Sequence, residues 1–282
     1  MTGKTFRWKK LKNRDIPHAE NLLREIEDNY VSACGRFLSR IPSRDNVWTL
    51  SKKKGELSAM IINSRSTLLP VLCAEKEIHD SSFLNSFIKK KKLHSVQGIT
   101  EEVKILDNKL KKIGMNIVEI FDYELMCLDS INIKTNSSIP KNLILRIPQM
   151  IDLDAIAPLQ EGYEKEEVLP KGSTFSPAAS RINIANIVAN GQILAAELNG
   201  KLVGKINVSS VSFTKYLVGG VYVHPNFRGM GIASRMTQEF ISSLISQGKG
   251  VTLFVKKNNV PARKIYTSLG FKITGDYRIS YY

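Results

Sequence analysis

The hydrophobic pattern is most regular in the last third of the chain, where apolar strands and a helically spaced segment follow one another. Residues 213–223 and 251–255 are rich in residues that favour strands. Between them, apolar side chains recur at helical spacing from Ile232 to Ile245. Pro225 cannot extend a strand ladder, so the first strand ends before it. This order predicts a right-handed crossover that joins two parallel strands.

The neighbouring pattern predicts further strands and helices around this crossover. Asn199-Gly200 is a strong two-residue hairpin signal between two apolar runs, and Asp152 and Asn259 are suitable helix N-caps. The expected elements are strands at 142–147, 192–198 and 201–208, helices at 153–163, 177–189 and 260–269, and a closing strand pair within 271–281 that turns at Gly275-Asp276.

The first half of the chain predicts a second set of α/β elements without a glycine-rich loop. Thr100 is a suitable N-cap for a helix whose first turn is acidic. The expected elements are strands at 6–11, 47–50, 56–62, 68–74, 94–97 and 117–128, and helices at 15–30, 82–92 and 101–113. A polar segment with a proline at 133–141 is the best linker candidate, so we predict domains at 1–132 and 142–282.

The loop between strand and helix in the crossover is a candidate anion site. Gly229 and Gly231 allow a tight turn and a close approach of the backbone to a ligand. The loop leaves unpaired N–H groups at a helix N-terminus beside the charge of Arg228, which favours a phosphate or pyrophosphate. The P-loop pattern is absent. The dinucleotide pattern lacks its later acidic residue, because Val255-Lys256-Lys257 occupies that region.

Two motifs match a third phosphate-binding design. The first is Val-x-Val-x-Pro followed by Arg-x-x-Gly-x-Ala, at residues 221–225 and 228–233, and the second is Asn-x-x-Ala-x-x-x-Tyr-x-x-x-Gly-Phe at 259–271. At these positions the sequence resembles the GNAT superfamily of N-acetyltransferases, in which this loop binds the pyrophosphate of acetyl-coenzyme A (acetyl-CoA). The resemblance covers residues 141–282. The similar element order of the first half leaves two interpretations, a degenerate GNAT-like unit or an unrelated α/β domain.

The resemblance implies an α/β fold with a mixed sheet, of the GNAT acyltransferase type, for residues 142–282. It implies transfer of an acetyl group to a primary amine by direct attack on the thioester. A backbone N–H of the Tyr222–Val223 strand would polarise the thioester carbonyl, and Gly219-Gly220 would let that strand bulge or let the ligand approach closely. The acetyl-CoA contacts implied are Tyr222, Val223, Arg228, Gly229, Met230, Gly231, Ile232, Ala233, Asn259 and Ala262. Asn259 could instead only cap its helix.

Two kinds of catalytic residue follow from the same resemblance. Tyr266 lies where many family members use a tyrosine to protonate the leaving thiol, and a phenol of pKa about 10 suits a general acid. The strand that carries Tyr222 contains no acid, so the base is not at its commonest position. The candidates for a base or for ligands of a cationic substrate are Glu161, Glu164, Glu166 and Glu167, of which we select Glu167. No metal site is expected.

Composition narrows the class of protein. With 43% hydrophobic residues the chain can build a sizeable core, and it contains no apolar run of the ~18 residues that span a bilayer. Cys34, Cys73 and Cys127 are widely spaced, which predicts buried thiols of a cytoplasmic protein and no metal ligands. The net charge of +15 is spread over both halves. Aromatic residues do not interleave the lysine runs at 52–54 and 89–92, so nucleic-acid binding is not favoured.

Two classes of function stay open at this point. One is an acetyl-CoA-dependent N-acetyltransferase for a small-molecule or peptide amine. The other is an acyl-CoA sensor that uses the same pocket without catalysis. The amine and the assembly are not specified by the sequence, and a homodimer is among the assemblies considered.

Overall fold

The computed structural model describes residues 8–39, 45–51, 57–73, 84, 93–130 and 140–282. Contacts divide the chain into two compact units, one of Met1–Leu125 with Thr274–Tyr282 and one of Met126–Ile273. This division differs from the predicted bounds in assigning residues 274–282 to the first unit, and the bounds 1–132 and 142–282 stay a prediction. The lysine runs, nearly all of the predicted helix at 82–92 and most of the predicted linker lie outside the described residues.

The strands and helices follow one another along the chain as the sequence pattern led us to expect, with a few exceptions. The strands are β1 (Lys9–Lys10), β2 (Asp45–Ser51), β3 (Leu57–Ser64), β4 (Thr67–Val71), β5 (Ser95–Ile99), β6 (Glu119–Leu128), β7 (Leu143–Arg146), β8 (Ile193–Leu198), β9 (Lys201–Val211), β10 (Lys215–Val223), β11 (Gly250–Lys256) and β12 (Lys272–Tyr281). The helices are α1 (Ile16–Glu25), α2 (Glu27–Leu38), α3 (Thr100–Lys112), α4 (Leu153–Tyr163), α5 (Pro177–Ala189), α6 (Ile232–Ile245) and α7 (Val260–Ser268).

The first unit is built on a mixed sheet with the strand order β1-β2-β3-β4-β5-β12. Strands β4 and β5 are parallel, and the other described pairs are antiparallel. One apolar cluster joins Ile61, Leu68 and Val96 of the strands to Val103 and Leu106 of α3. The alternation of apolar residues in the strands and their helical spacing in α3 produce this core.

The first unit corrects three expectations. The predicted helix 15–30 is two helices, because the backbone leaves the helical region at Ile26 (φ −115°, ψ 10°). Thr100 is the first residue of α3 and Ile99 occupies the N-cap position without a side-chain bond. Cys73 is exposed at a positive φ of 57°, whereas Cys34 and Cys127 are buried as predicted.

The prediction of a closing strand pair within residues 271–281 was also wrong. Residues 272–281 form the single strand β12, which pairs with β5 from Tyr277 to Tyr281. Gly275 does not adopt a positive φ, so Gly275-Asp276 runs straight where a turn was expected. The pairing with β5 provides ladder hydrogen bonds that a local hairpin would have had to replace.

The second unit contains the predicted crossover. Its strand order is β11-β10-β9-β8-β7, with β10 and β11 parallel and the remaining pairs antiparallel. The Asn199-Gly200 hairpin is confirmed, with both residues at positive φ of 52° and 76°. Asp152 lies at the N-cap of α4, but its carboxylate accepts from both terminal nitrogens of Arg146 at 2.8 Å instead of capping the helix.

Helices of the second unit pack on clusters that use alternate residues of the same strands. Ala196 and Val223 belong to the cluster that buries Ile232 and Met236 of α6. Ala195 and Tyr222 belong to the cluster that buries residues of α4 and α5. Because successive residues of a strand point to opposite faces, the two clusters lie on opposite sides of the sheet. Among the described residues, no helix is long and apolar enough to cross a membrane.

Candidate functional site

The predicted anion loop connects β10 to α6 through a short 3₁₀ turn at Pro225–Phe227. Gly229 and Gly231 have φ values of 78° and 74°, in the left-handed region that glycine enters without strain. Gly231 is the N-cap of α6 and, without a side chain, provides no capping bond. The glycines are therefore required by the conformation that turns the chain from the strand into the helix.

The amide groups of this loop lack protein partners. Within residues 140–282, which are described throughout, the N–H groups of residues 229–234 donate no hydrogen bond to the protein, and the first internal bond of α6 runs from Arg235 to Gly231. Most orphan N–H groups at helix ends are satisfied by a capping side chain or solvent. Here the left-handed glycines and the absence of a cap leave a run of amides at the positive end of a helix, which suits an anion.

Arg228 is held by other groups beside this loop. Its Nε donates to the Val223 carbonyl at 3.0 Å, and its Nη2 lies 2.8 and 3.1 Å from the two carboxylate oxygens of Glu166. The guanidinium also lies 5.3 Å from the centre of the Tyr222 ring. The predicted cation is therefore beside the loop but paired with a carboxylate, so an anion bound there competes with Glu166.

Three of the four predicted glutamates, Glu164, Glu166 and Glu167, lie in a single π-helical turn, Glu164–Val168, which follows α4, whereas Glu161 lies within α4. Glu166 also accepts from the Tyr222 hydroxyl at 3.0 Å. Glu167 lies 3.4 Å from Lys256 Nζ and accepts from Asn259 Nδ2 at 3.3 Å. The structure thus places two carboxylates of the cluster against residues of β10, the loop, β11 and α7. Glu161 instead pairs with Lys165.

Strands β10 and β11 pair only at their beginnings, from Lys215 to Val218 and from Gly250 to Leu253. The register between β10 and β9 shifts between Gly219 and Tyr222, so the predicted bulge at Gly219-Gly220 is present. Tyr222 is opposite Lys205, and the His224 N–H donates to Val203. Because strand N–H groups alternate in direction, that of Val223 points away from β9, to the side where β11 no longer pairs with β10.

Tyr266 lies on α7 and is buried, 5.9 Å from the ring of Phe271 between centroids. Burial raises the pKa of its phenol, and the nearby Tyr163 and Glu167 raise it further. Within the described residues, the hydroxyl of Tyr266 has no hydrogen-bond partner. A neutral phenol with a free hydroxyl, beside a carboxylate, can donate a proton or a hydrogen bond to a bound group.

Asn259 caps α7, since its Oδ1 accepts from the Ala262 N–H at 3.1 Å. The predicted N-cap is present, and the Ala262 amide is already paired. The other predicted contacts lie on the loop and on the end of β10, close together in sequence and in the fold. Whether any of them binds acetyl-CoA stays a proposal.

Two residues near the bulge were not selected from the sequence. Tyr163 ends α4, and burial raises the pKa of its phenol, which the nearby Gly220 backbone lowers in part. Lys205 lies on β9 and is completely buried. In the predicted strand 201–208, Lys205 alternates with Leu202, Ile206 and Val208 and falls on the other side, with Lys201 and Asn207, so the sequence carried no signal of its burial.

The second unit thus combines three features that suit an anionic ligand, namely the unpaired amides of the loop, the outward N–H of Val223 and the phenol of Tyr266. Residues 158–271 match the model of the Acetyltransferase (GNAT) family. The C-terminal half of the chain therefore belongs to the GNAT acetyltransferase family. A comparison with curated protein sequences finds no match.

Solved structures are similar along nearly the whole chain. A Drosophila protein aligns with a TM-score of 0.64 at 12% identity, covering 99% of each chain. A tandem GNAT protein from the clavulanic acid biosynthesis pathway aligns with a TM-score of 0.62 at 12% identity, covering 99% of this chain and 98% of that one. A GCN5-related N-acetyltransferase from Sphaerobacter thermophilus has a TM-score of 0.60 at 16% identity, covering 98% of this chain and 95% of that one.

At these identities the likeness shows the fold alone. It shows a mixed α/β fold of the tandem GNAT type over the full length. Of the two interpretations of the first half, the comparison favours the GNAT-like unit over an unrelated domain.

Proposed function

We propose that this protein transfers an acetyl group from acetyl-CoA to a primary amine. The observation that carries the proposal is the run of amides at residues 229–234 without a protein partner, at the N-terminus of α6. A diphosphate is the group that such a run binds well, because backbone N–H groups and the helix dipole act on the same negative charge. Family membership of the C-terminal half supports an acyltransferase.

The residues of the site suit acetyl-CoA in three places. The loop amides would hold its diphosphate, and the outward N–H of Val223 would donate to a carbonyl placed beside β10. The phenol of Tyr266 would supply a proton to a thiolate, because a phenol, whose ordinary pKa is about 10, is protonated at neutral pH. Bound acetyl-CoA would supply an activated thioester. The residues of the protein would orient the thioester and the amine and transfer the protons.

Glu167 is the proposed base or amine ligand. Its carboxylate lies close enough to Tyr163 and Tyr266 to raise the pKa of both phenols, and it pairs with Lys256 at 3.4 Å. A primary amine of pKa about 10.4 must lose a proton before it attacks a thioester. A carboxylate in this place can attract the cationic amine or accept its proton through water. A small-molecule or peptide amine, a cytoplasmic location and a homodimer stay predictions.

The anion loop is tested by a matched pair of glycine variants. Gly229 and Gly248 have similar φ values of 78° and 82°, and a Cβ on either meets no atom within 4 Å. Gly229→Val and Gly248→Val therefore carry the same backbone strain, but only the first lies in the loop. We expect acetyl-CoA affinity, measured by titration calorimetry, to fall at least 10-fold in Gly229→Val and to stay within 2-fold in Gly248→Val. Equal affinities in the two variants would exclude the loop as the diphosphate site.

Catalysis is tested by thiol release from acetyl-CoA in the presence of a panel of amines, with and without protein. The panel includes polyamines, aminoglycosides, free amino acids and lysine peptides. Amine-dependent thiol release above the background supports the transferase. If the protein binds acetyl-CoA tightly but no amine of the panel causes thiol release, the result supports the alternative, an acyl-CoA sensor that uses the same site.

A further inference from the structure

Lys205 is a buried lysine that neither the family motifs nor the proposed mechanism uses. Its side chain is the largest of the completely buried ones, with a relative exposure of 0%. Among the described residues no carboxylate lies within salt-bridge distance of its Nζ. An unpaired charge is costly at such a depth, so the reason for a lysine here must lie in what its amine contacts.

The amine contacts the bulge of β10. Nζ donates to the Gly220 carbonyl at 2.9 Å and to Asn207 Oδ1 at 3.1 Å, and it lies 4.8 Å from the centre of the Tyr163 ring. Gly220 and Val221 are the two residues between Gly219 and Tyr222 at which the register between β9 and β10 shifts. A bulge leaves backbone groups without their ladder partners. Lys205 donates the hydrogen bond that the Gly220 carbonyl would otherwise lack, and the ring of Tyr163 packs beside the lysine amine.

The close packing of Lys205 and Asn207 against the bulge requires a glycine at position 220. Gly220 has a φ of 62°, and a Cβ built on it would lie 2.7 Å from Lys205 Nζ and 2.0 Å from Asn207 Oδ1. Real Cβ atoms do not approach other atoms so closely, so the lysine and asparagine occupy the space that only glycine leaves. The three residues form one packed unit beneath the bulge.

The protonation of Lys205 agrees with this role. Burial lowers the pKa of the amine to about 7, while Glu164 opposes that shift in part. A neutral amine has two N–H donors, and two acceptors are present, the Gly220 carbonyl and Asn207 Oδ1. The hydrogen bonds are therefore retained in both protonation states, and a neutral form avoids the cost of a buried charge.

We propose that Lys205 is a positioning residue for acyl transfer, which holds the Gly220 carbonyl and so fixes the bulge that directs the Val223 N–H into the space between β10 and β11. This inference rests on the proposed function, because the Val223 N–H matters only if a thioester carbonyl binds there. Lys205 touches the backbone of the site and not the substrate, so its effect is on geometry.

The experiment compares Lys205→Met with Lys215→Met in the full-length protein. Lys215 is a lysine of 7% exposure on β10, paired with Asp129 at 3.0 Å, at the opposite end of the strand from the bulge. Methionine fills a similar volume without a donor. We expect Lys205→Met to lower kcat about 10- to 100-fold, the range for a misplaced reacting group, with the Kd for CoA within 2-fold. Lys215→Met is expected to keep both parameters within 2-fold.

A second variant and a second measurement test whether the loss of kcat in Lys205→Met comes from the bulge. Gly220→Ala should reproduce the loss of kcat by disturbing the bulge from the other side. Hydrogen exchange of the peptide 217–224 should accelerate in Lys205→Met, because the bulge loses its side-chain hydrogen bond.

Two results overturn the proposal. One is a kcat within 2-fold of wild type in Lys205→Met, and the other is unchanged exchange at 217–224. If the wild-type protein releases no thiol with any amine, the proposed function fails by itself, and the exchange measurement still decides whether Lys205 holds the bulge.

Discussion

The buried amine of Lys205 should make the stability of the second unit depend on pH. Burial lowers its pKa from 10.5 to about 7. Between these values the unfolded chain binds a proton that the folded chain does not, so stability rises with pH across this window. Below about pH 7 both states are protonated and the full cost of the buried charge is present. Above about pH 10.5 both are neutral and the cost is gone.

The size of the effect follows from the shift. The lowering of the pKa from 10.5 to about 7 corresponds to about 5 kcal/mol at ~1.36 kcal/mol for each pH unit. Linkage over the accessible part of the window, pH 7 to pH 9, gives a rise of about 2 kcal/mol in the free energy of unfolding. The groups that face the amine are Glu164 from the π-helical turn, Tyr163 from α4, whose pKa is raised, and the uncharged Asn207.

Lys205→Met removes this contribution. The variant also loses the hydrogen bond to Gly220, which lowers its stability by an amount independent of pH. The difference in free energy of unfolding between wild type and variant should therefore move by about 2 kcal/mol in favour of wild type between pH 7 and pH 9. A substitution of an exposed lysine on the same strand, Lys201→Met, is the control and should not alter the pH dependence.

The assay has to measure the unfolding of the second unit, which contains Lys205. Both tryptophans, Trp8 and Trp48, lie in the first unit, so tryptophan fluorescence would follow the wrong part of the chain. Cys127 lies in the second unit and is buried, so its labelling by a thiol reagent in urea, read by mass spectrometry, measures unfolding there. A difference between wild type and Lys205→Met that stays constant from pH 7 to pH 9 would refute the lowered pKa.

Three further predictions concern the same unit. Tyr266→Phe should lower kcat about 100-fold, since general acid catalysis contributes 10²–10⁴-fold, without weakening CoA binding in calorimetry. Glu166→Gln should tighten CoA about 2- to 5-fold by releasing Arg228, because a half-exposed ion pair contributes 0.2–1 kcal/mol. Gly162→Ala should destabilise the second unit by about 1–3 kcal/mol in Cys-labelling experiments, since its Cβ would lie 2.3 Å from the Tyr222 hydroxyl.

Each of these predictions has an outcome that contradicts it. Full turnover in Tyr266→Phe would assign the proton to another group. A gain of affinity in Glu166→Gln that is equal at low salt and in 0.5 M salt, a concentration at which the Debye length is only about 4 Å, would mean that charge competition is not its cause. An unchanged urea midpoint in Gly162→Ala would show that Tyr222 moves away from α4 without cost.

Many local features followed from the sequence because they depend on neighbours along the chain. The Asn199-Gly200 hairpin, the Asn259 cap and the left-handed Gly229 and Gly231 are decided within a few residues by backbone sterics and by one side-chain bond. The bulge at Gly219-Gly220 belongs to the same group. Two motifs at the correct distance also carried the family resemblance of the second half.

Other features could not be predicted from the sequence, because residues that are distant along the chain determine them. Gly275-Asp276 resembles a turn, but pairing with β5, about 180 residues earlier in the chain, keeps β12 straight. Asp152 has the residue type of an N-cap, yet Arg146 offers two charge-assisted bonds that are stronger than a cap. Arg228 was expected to be available for an anion, but the π-helical turn brings Glu166 to it from 62 residues away.

The sequence alone therefore established the strand–loop–helix unit with its glycines and the class of ligand it suits, since short-range sterics and helix-end amides are properties of the local chain. Only the tertiary structure brought Lys205, Tyr163 and Gly220 together, because they come from three elements whose approach depends on the packing of α4 against the bulge. The local sequence does not indicate that Lys205 is buried. Its contact with the Gly220 carbonyl depends on a bulge in a different strand.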